Sequence, residues 1–321
     1  MFEITRQART PVRRPSWAHT SISRPPLVVR STWPSDSVAM LTFGSRRPFH
    51  ARIDLPPTRA EIPDAVETLL EPARAHGVGQ AVFVIYSDDE RLAAAVSRAL
   101  CRSFTDVGVQ VIWSLRADGS RWYPAHGSNP GVPVWGVPYD LSAHPFLAQA
   151  VLDGRVLHGS REELRHTLDA DVERTSRVVA ALAELAGAPQ PRAEESVWAR
   201  DLVVRHTGAG SAPEDAEVAR LLRGLLDIEV RDAAWSPLER VSAHEHVRFW
   251  TDVVRRTPVP LLAAPAALLA FAAWQAGHGA LAWCALDRSA EADEDYSLAA
   301  LVAQALERAV PPEAWQERAC G

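Results

Sequence analysis

Paired acids offer the first opening for chemistry. Asp88-Asp89 follow the apolar run from Ala81 to Tyr86 and stand just before a helical stretch. Ligands of α/β sheets gather at the carboxyl ends of strands, where two carboxylates can hold a metal or activate a water. Asp54 closes another strand-like run and joins them as a weak catalytic candidate. The same residues also meet a plainer need. Asp is a preferred helix N-cap, and adjacent acids suit the positive end of a helix dipole. Capping is the reading the sequence favours, because nothing else in it marks a metal site.

His244-Glu245-His246 has the residue types of a metal cluster at the wrong spacing. Helical ligands at i, i+4 share a face, as in His-Glu-x-x-His, whereas at i, i+2 they point apart. Val241, His244 and Val247 fall on one stripe, so His244 is expected as a partly buried core histidine. Ser87, Ser114 and Ser120 are nominal nucleophiles that lack a Gly-x-Ser-x-Gly elbow. No Gly-x-Gly-x-x-Gly follows a strand, so no dinucleotide site is implied. The cysteines Cys101, Cys284 and Cys320 are too scattered for a zinc cluster or a disulfide framework, and Cys101 and Cys284 read as small core residues of helices. All 34 basic side chains are Arg. Without Lys, Schiff-base enzymes, P-loop NTPases and protein kinases are excluded in their usual form. No cofactor and no metal are expected.

Binding residues are easier to nominate. Arg121-Trp122-Tyr123 and Tyr139-Asp140 bracket a Gly/Pro-rich passage that joins two dissimilar halves. Trp, Tyr and Arg are common interface anchors, and domain junctions favour pockets. Charge is uneven as well. The chain carries a net charge of -6, yet residues 1–59 hold ten Arg against Glu3, Asp36 and Asp54. An arm bearing Arg6, Arg9, Arg13 and Arg14 could contact nucleic acid. The plainer expectation is an Arg-rich disordered leader, since Pro11, Pro15, Pro25 and Pro26 punctuate residues 1–26 without periodicity.

The elements that must position these residues fall into an α/β part and a helical part. Ser37–Phe43 and Pro48–Leu55 flank a turn at Gly44-Ser45-Arg46-Arg47, and Phe49, Ala51 and Ile53 alternate with polar neighbours. Ile62–His76 reads as a helix, stopped by Gly77 and Gly79. Gln80–Tyr86 is apolar throughout, as in a strand buried on both faces. A helix from about Glu90 to Phe104, a strand at Gly108–Ser114 and an Asp118-Gly119 hairpin turn complete an order ββαβαββ. That order argues a mixed sheet with packed helices. From Ser142 onward no convincing strand appears. Ser-x-x-Glu capping boxes at Ser160/Glu163, Ser211/Glu214 and Ser236/Glu239 divide the second half into about eight helices. The expected divisions are a disordered arm over 1–26, an α/β domain over 27–136 and a helical bundle over 137–321. The longest apolar stretch, Val259 to Ala273, contains Pro260 and Pro265 and is too short to span a bilayer. With no signal-peptide run after Arg13-Arg14, a cytoplasmic location without membrane contact is expected.

A helical hairpin at about 264–310 carries Leu269-Ala270, Gly277, Ala282, Leu286 and Ser289 at spacings similar to a tetratricopeptide repeat. One unit alone cannot build a solenoid, so the pair is expected to complete the protein's own bundle. The alternative is a peptide groove beside Trp274 and Trp283. The run "AAPAALLAFAAWQAGHGALAWCALDRSAEADEDYSLAAL" (263–301), with "PSDSVAMLTF" (34–43), "ARIDLPP" (51–57), "VRDAAW" (230–235) and "FWTDVVRRTPVP" (249–260), resembles an actinobacterial family known only as domain of unknown function 4192. The resemblance runs from about Pro26 to Trp315 and implies no established activity. It breaks at Arg30–Pro34, which is abbreviated. It breaks again at Pro124–Pro130, where many relatives carry a cysteine-containing segment.

These readings favour a protein-binding or scaffold role through the helical part, with an unknown protein partner. A hydrolase-like enzyme using Asp54, Asp88 and Asp89 is the alternative, and nucleic-acid association through the basic arm a weaker one.

Overall fold

Thr42 shows how the first hairpin closes. Its buried hydroxyl donates to the Phe49 carbonyl at 2.6 Å and accepts from the Phe49 N–H at 3.1 Å. This ties strand β2 (Ser37–Phe43) to strand β3 (His50–Asp54), the antiparallel pair that the alternation of Ala51 and Ile53 leads one to expect. The computed structural model of the chain describes residues 21–23, 36–45, 49–139, 161–185 and 191–312. Within them, Ser21–Ser23 forms a short strand β1 antiparallel to β3. At those three residues, the arm expected to lack structure instead extends the sheet edge. The rest of residues 1–26, with Arg6, Arg9, Arg13 and Arg14, and Asp140 at the junction, lie outside the described residues.

The sheet continues through helix α1 (Ile62–Ala75), strand β4 (Gln80–Tyr86), helix α2 (Glu90–Asp106) and strand β5 (Gln110–Ala117). A hairpin leads to β6 (Arg121–Pro124), and β7 (Val137–Pro138) pairs with β6. Gly119 takes φ +98 in the first of these turns, where the Asp-Gly signal places it. The strand order is β1-β3-β2-β4-β5-β6-β7.

One expectation about this sheet fails for a topological reason. β3, β4 and β5 run parallel, since β2 is antiparallel to both β3 and β4, and β4 pairs parallel with β5. Both crossovers step in the same direction along the sheet. Right-handed connections therefore put α1 and α2 on the same face. Ala81, Phe83 and Ile85 are buried beneath them, whereas Val82 and Val84 stay half-exposed on the other side. β4 is thus buried fully on one face only, although its sequence is apolar on both.

From Arg161 onward the described residues hold nine helices and no strand. They are α3 (Arg161–His166), α4 (Val172–Glu184), α5 (Arg192–Ala209), α6 (Asp215–Gly224), α7 (Ile228–Trp235), α8 (Ala243–Arg256), α9 (Ala263–Gln275), α10 (Gly279–Ala290) and α11 (Ser297–Glu307). Two capping boxes sit one turn later than the sequence suggests. Glu214 is itself the N-cap of α6, boxed with Glu217, and Glu239 caps a short 3-10 turn with Ser242. Ser160 is outside the described residues.

α9 is apolar on every side and is buried from Ala264 to Gln275. A helix hydrophobic all round belongs at the centre of a bundle. Trp274 and Trp283 accordingly face the bundle's own core and present no indole to a groove. Apolar residues form two separate clusters, one under the sheet and one in the bundle. The segment after α11 links them. The Arg308 carbonyl accepts from His76 Nε2 at 3.2 Å, Ala309 is buried in the sheet cluster, and the Val310 carbonyl accepts from Trp274 Nε1 at 3.1 Å. Among the described residues no helix is long and apolar enough to cross a membrane.

Candidate functional site

The strand-end acids come first. Parallel alignment of β3 and β4 brings Asp54, Asp88 and Asp89 to one edge of the sheet, beside Asp36 and Ser87. There Asp89 accepts from the Leu92 N–H at 2.9 Å, so it caps α2 as a helix N-terminus requires. Ser87 is buried, donates to Asp36 at 3.4 Å and accepts from the Asp89 N–H at 3.1 Å. Strand order reverses nowhere between β3 and β5, so the switch-point crevice of doubly wound sheets is not formed at this edge. Among the described residues, no group of three or more His, Cys, Asp or Glu is arranged to hold a metal. Asp89→Ala should cost about 1 kcal/mol of stability through loss of the cap. An unchanged urea midpoint would show that this cap carries no weight.

His244 and His246 point apart, as their spacing demands, but with the roles exchanged. The core stripe of α8 is Ala243, His246, Phe249, Trp250 and Val253, so His246 is buried and His244 exposed. A 3-10 turn at Arg240–Ser242 resets the helical phase just before α8, leaving Val241 outside the stripe. His244 Nδ1 lies 3.2 Å from His278 Nε2 across the bundle surface. A cleft between α5 and α8 is lined by His206, Glu245, Phe249 and Asp252. Its His206 pairs with Ser211 at 2.9 Å and Asp252 with Arg174 at 3.1 Å, so both are committed to the fold.

The Gly/Pro-rich passage yields the more informative geometry. Residues 125–136 form a loop between β6 and β7, held at several points. The Ala125 N–H donates to the Ser114 carbonyl at 2.9 Å. His126 Nδ1 lies 2.6 Å from Ser97 Oγ on α2, which in turn lies 2.6 Å from Ser114 Oγ. Asn129 folds an Asx turn, its carboxamide oxygen accepting from the Gly131 N–H at 3.1 Å. At the far end the Arg121 guanidinium donates to the carbonyls of Trp135 and Gly136, both at 3.2 Å. Gly136 has φ +75, and a Cβ there would stand 2.5 Å from the Tyr123 ring, so only Gly fits. Arg116 stacks its guanidinium 4.2 Å from the centre of that ring.

The junction residues thus divide by task. Arg121 and Tyr123 brace the loop. Trp122 is half-buried on β6, and Tyr139 is half-buried with burial pushing its hydroxyl well above the usual range. The tip that they hold up carries Val134 and Trp135, which are 95% and 73% exposed. Trp135 therefore presents its ring largely to solvent from an anchored loop.

The Ser97–His126 pair has the spacing for proton transfer, but Ser97 has no exposed surface from which to reach a substrate. Cys101 sits alongside, and burial pushes its thiol up, away from the thiolate that a nucleophile needs. The cluster anchors the loop to α2. Sequence reasoning passed over Ser97, His126 and Trp135. The available signal was a large aromatic residue inside a Gly/Pro-rich passage, where loops are otherwise polar.

A mixed sheet with helices on one face, joined to a helical bundle, defines the architecture of this protein. A profile of the family described as Domain of unknown function (DUF4192) matches residues 31–313, and the chain belongs to that family. The search of curated proteins found no match, and neither did the search of solved structures.

Proposed function

We propose that this chain is a non-enzymatic binding protein that engages a protein partner through the 125–136 loop, with the helical bundle as its scaffold. The observation that carries this reading is the 73% exposure of Trp135 on a loop fixed by Arg121, Gly136, Asn129 and His126. A loop already ordered loses little further entropy on binding, which removes one of the costs set against the area buried by the indole. Trp is also the side chain most enriched among interface anchors. The hydrolase-like alternative, resting on Asp54, Asp88 and Asp89, has weaker support because Asp89 is engaged as a helix cap.

Native partners captured on the full chain provide the test, with affinity then measured for the purified pair. Trp135→Ala should weaken binding at least tenfold, since truncation of an aromatic anchor typically costs about 2 kcal/mol or more. Its melting temperature should not change, because the ring packs against little of its own chain. Partners held equally well by wild type and variant would defeat the proposal.

A further inference from the structure

Many arginines in this fold have a partner among the described residues. Arg74, Arg174, Arg177, Arg192, Arg205, Arg220 and Arg256 each pair with a carboxylate, and Arg116, Arg121 and Arg223 donate to carbonyls. Helix α2 departs from this pattern. Arg91, Arg98 and Arg102 lie on its solvent side at i, i+7 and i+11, all exposed and with no ion pair or hydrogen bond among the described residues. Arg59, in the 3-10 turn before α1, is likewise exposed and unpaired. Arg59, Arg91 and Arg98 line one open cleft with Ala94, and Glu90 is the one acid in the lining.

We infer that this cleft binds a phosphate-bearing ligand. Three permanently charged groups lining one cleft repel, and the repulsion is relieved by an anion seated among them. The guanidinium fork matches phosphate oxygens with two parallel N–H···O bonds, and a phosphate has oxygens and charge enough to meet several forks at once, where a carboxylate has only two oxygens. Two of the three stand on a regular helix whose other face is locked into the sheet core by Val96, Leu100 and Phe104, so their spacing is fixed before any ligand arrives. The α2 N-terminus adds nothing to the site, because Asp89 already occupies it. This inference is independent of the Trp135 loop and holds or fails without it. The phosphate has two sources: a free phosphorylated small molecule, or the phosphodiester backbone of a nucleic acid.

Calorimetric titration of the full chain with inorganic pyrophosphate, and separately with a 20-nucleotide oligothymidylate, distinguishes them. Pyrophosphate should bind the wild type and raise its melting temperature. Arg91→Ala/Arg98→Ala should weaken it at least tenfold, while the melting temperature without ligand stays the same because both side chains are exposed. A charge-matched control, Arg192→Ala/Arg200→Ala on the helical bundle, should bind like wild type. If the oligonucleotide also binds, competes with pyrophosphate and is lost in the same variant, with affinity falling steeply with salt, the source is a phosphodiester. If pyrophosphate alone binds and is lost, the source is a free phosphorylated compound. Oligonucleotide binding that survives the double substitution belongs to other cations, such as those of residues 1–26, and counts against this cleft as a nucleic-acid site. Pyrophosphate that fails to bind the wild type, or binds the α2 variant equally well, overturns the inference.

Discussion

Arg256→Ala should destabilise the helical bundle by about 3–5 kcal/mol. Arg256 closes α8 with 1% of its surface exposed. One guanidinium nitrogen donates to Asp215 at 3.0 Å and to the Pro213 carbonyl at 2.9 Å, and another meets Asp252 one turn back. Arg174 bridges the same two acids from α4, at 3.1 Å to each, and Arg177 reaches Asp215 at 2.8 Å. Three helices, α4, α6 and α8, therefore meet in one charge network. Removing Arg256 leaves the Pro213 carbonyl and part of two carboxylates without their buried donors, and opens a cavity the length of an Arg side chain. Arg256→Met fills that cavity and should recover part of the loss. Urea denaturation followed by far-UV circular dichroism measures each cost from the midpoint at constant slope. With two separate apolar cores, the shift should be confined to the transition of the bundle. Raising salt should not reproduce it, since screening acts weakly on buried pairs. A loss below 1 kcal/mol would mean that this network is solvated in solution.

This network also marks the limit of what could be read from the sequence. Arg174, Asp215, Asp252 and Arg256 are separated by up to 82 positions, and no local pattern links them. Local patterns did well where the chemistry was local. Alternation placed β2 and β3, the Asp-Gly pair placed the β5–β6 turn, and Asp89 is the cap its type and position suggest. Errors arose where the answer depended on other elements. The apolar run of β4 implied two covered faces, but its cover depends on the direction in which both crossovers step. Two of the Ser-x-x-Glu signals were one turn out of phase, because Glu214 and Glu239 take the N-cap position in place of the serines before them.

The 125–136 loop shows the same limit. Arg121 and Tyr123 stood out as anchors by residue type, yet their partners in the fold are the Trp135 carbonyl, Gly136 and Arg116. The residues that stood out hold the loop in place, and Trp135, which they position, is the one exposed to solvent. Trp274 and Trp283 show the converse. Helical periodicity cannot distinguish an apolar face awaiting a partner from one already covered, and α9 is covered on all sides.

His246 carries the second large effect, and it should appear as acid lability. The ring is 1% exposed on the core stripe of α8, and burial lowers its pKa from the usual 6.5 to about 4, with nearby Glu245 opposing only weakly. The folded protein therefore holds His246 neutral at pH values where the unfolded chain binds a proton. For a group with a depressed folded pKa, its contribution is intact above pH 6.5. It declines as pH falls toward 4 and is level below that. A shift of this size corresponds to stability on the order of 3 kcal/mol, lost across that window. His50, half-buried in the sheet, is also lowered by burial, so the sheet should lose some stability over the same range. Asp215 and Glu217 do not confuse the result. Their carboxyls lie below the usual range despite burial, held there by Arg177, Arg256 and the Glu214 N–H, so their contributions are lost at still lower pH. His246→Gln keeps a polar group of similar size without a proton to gain. Its melting temperature should change much less than that of the wild type between pH 6.5 and 4.5, with the His50 term left in place. A variant whose stability falls as steeply as the wild type over that window would show that His246 is not the titrating group, and that protonation elsewhere unfolds the bundle.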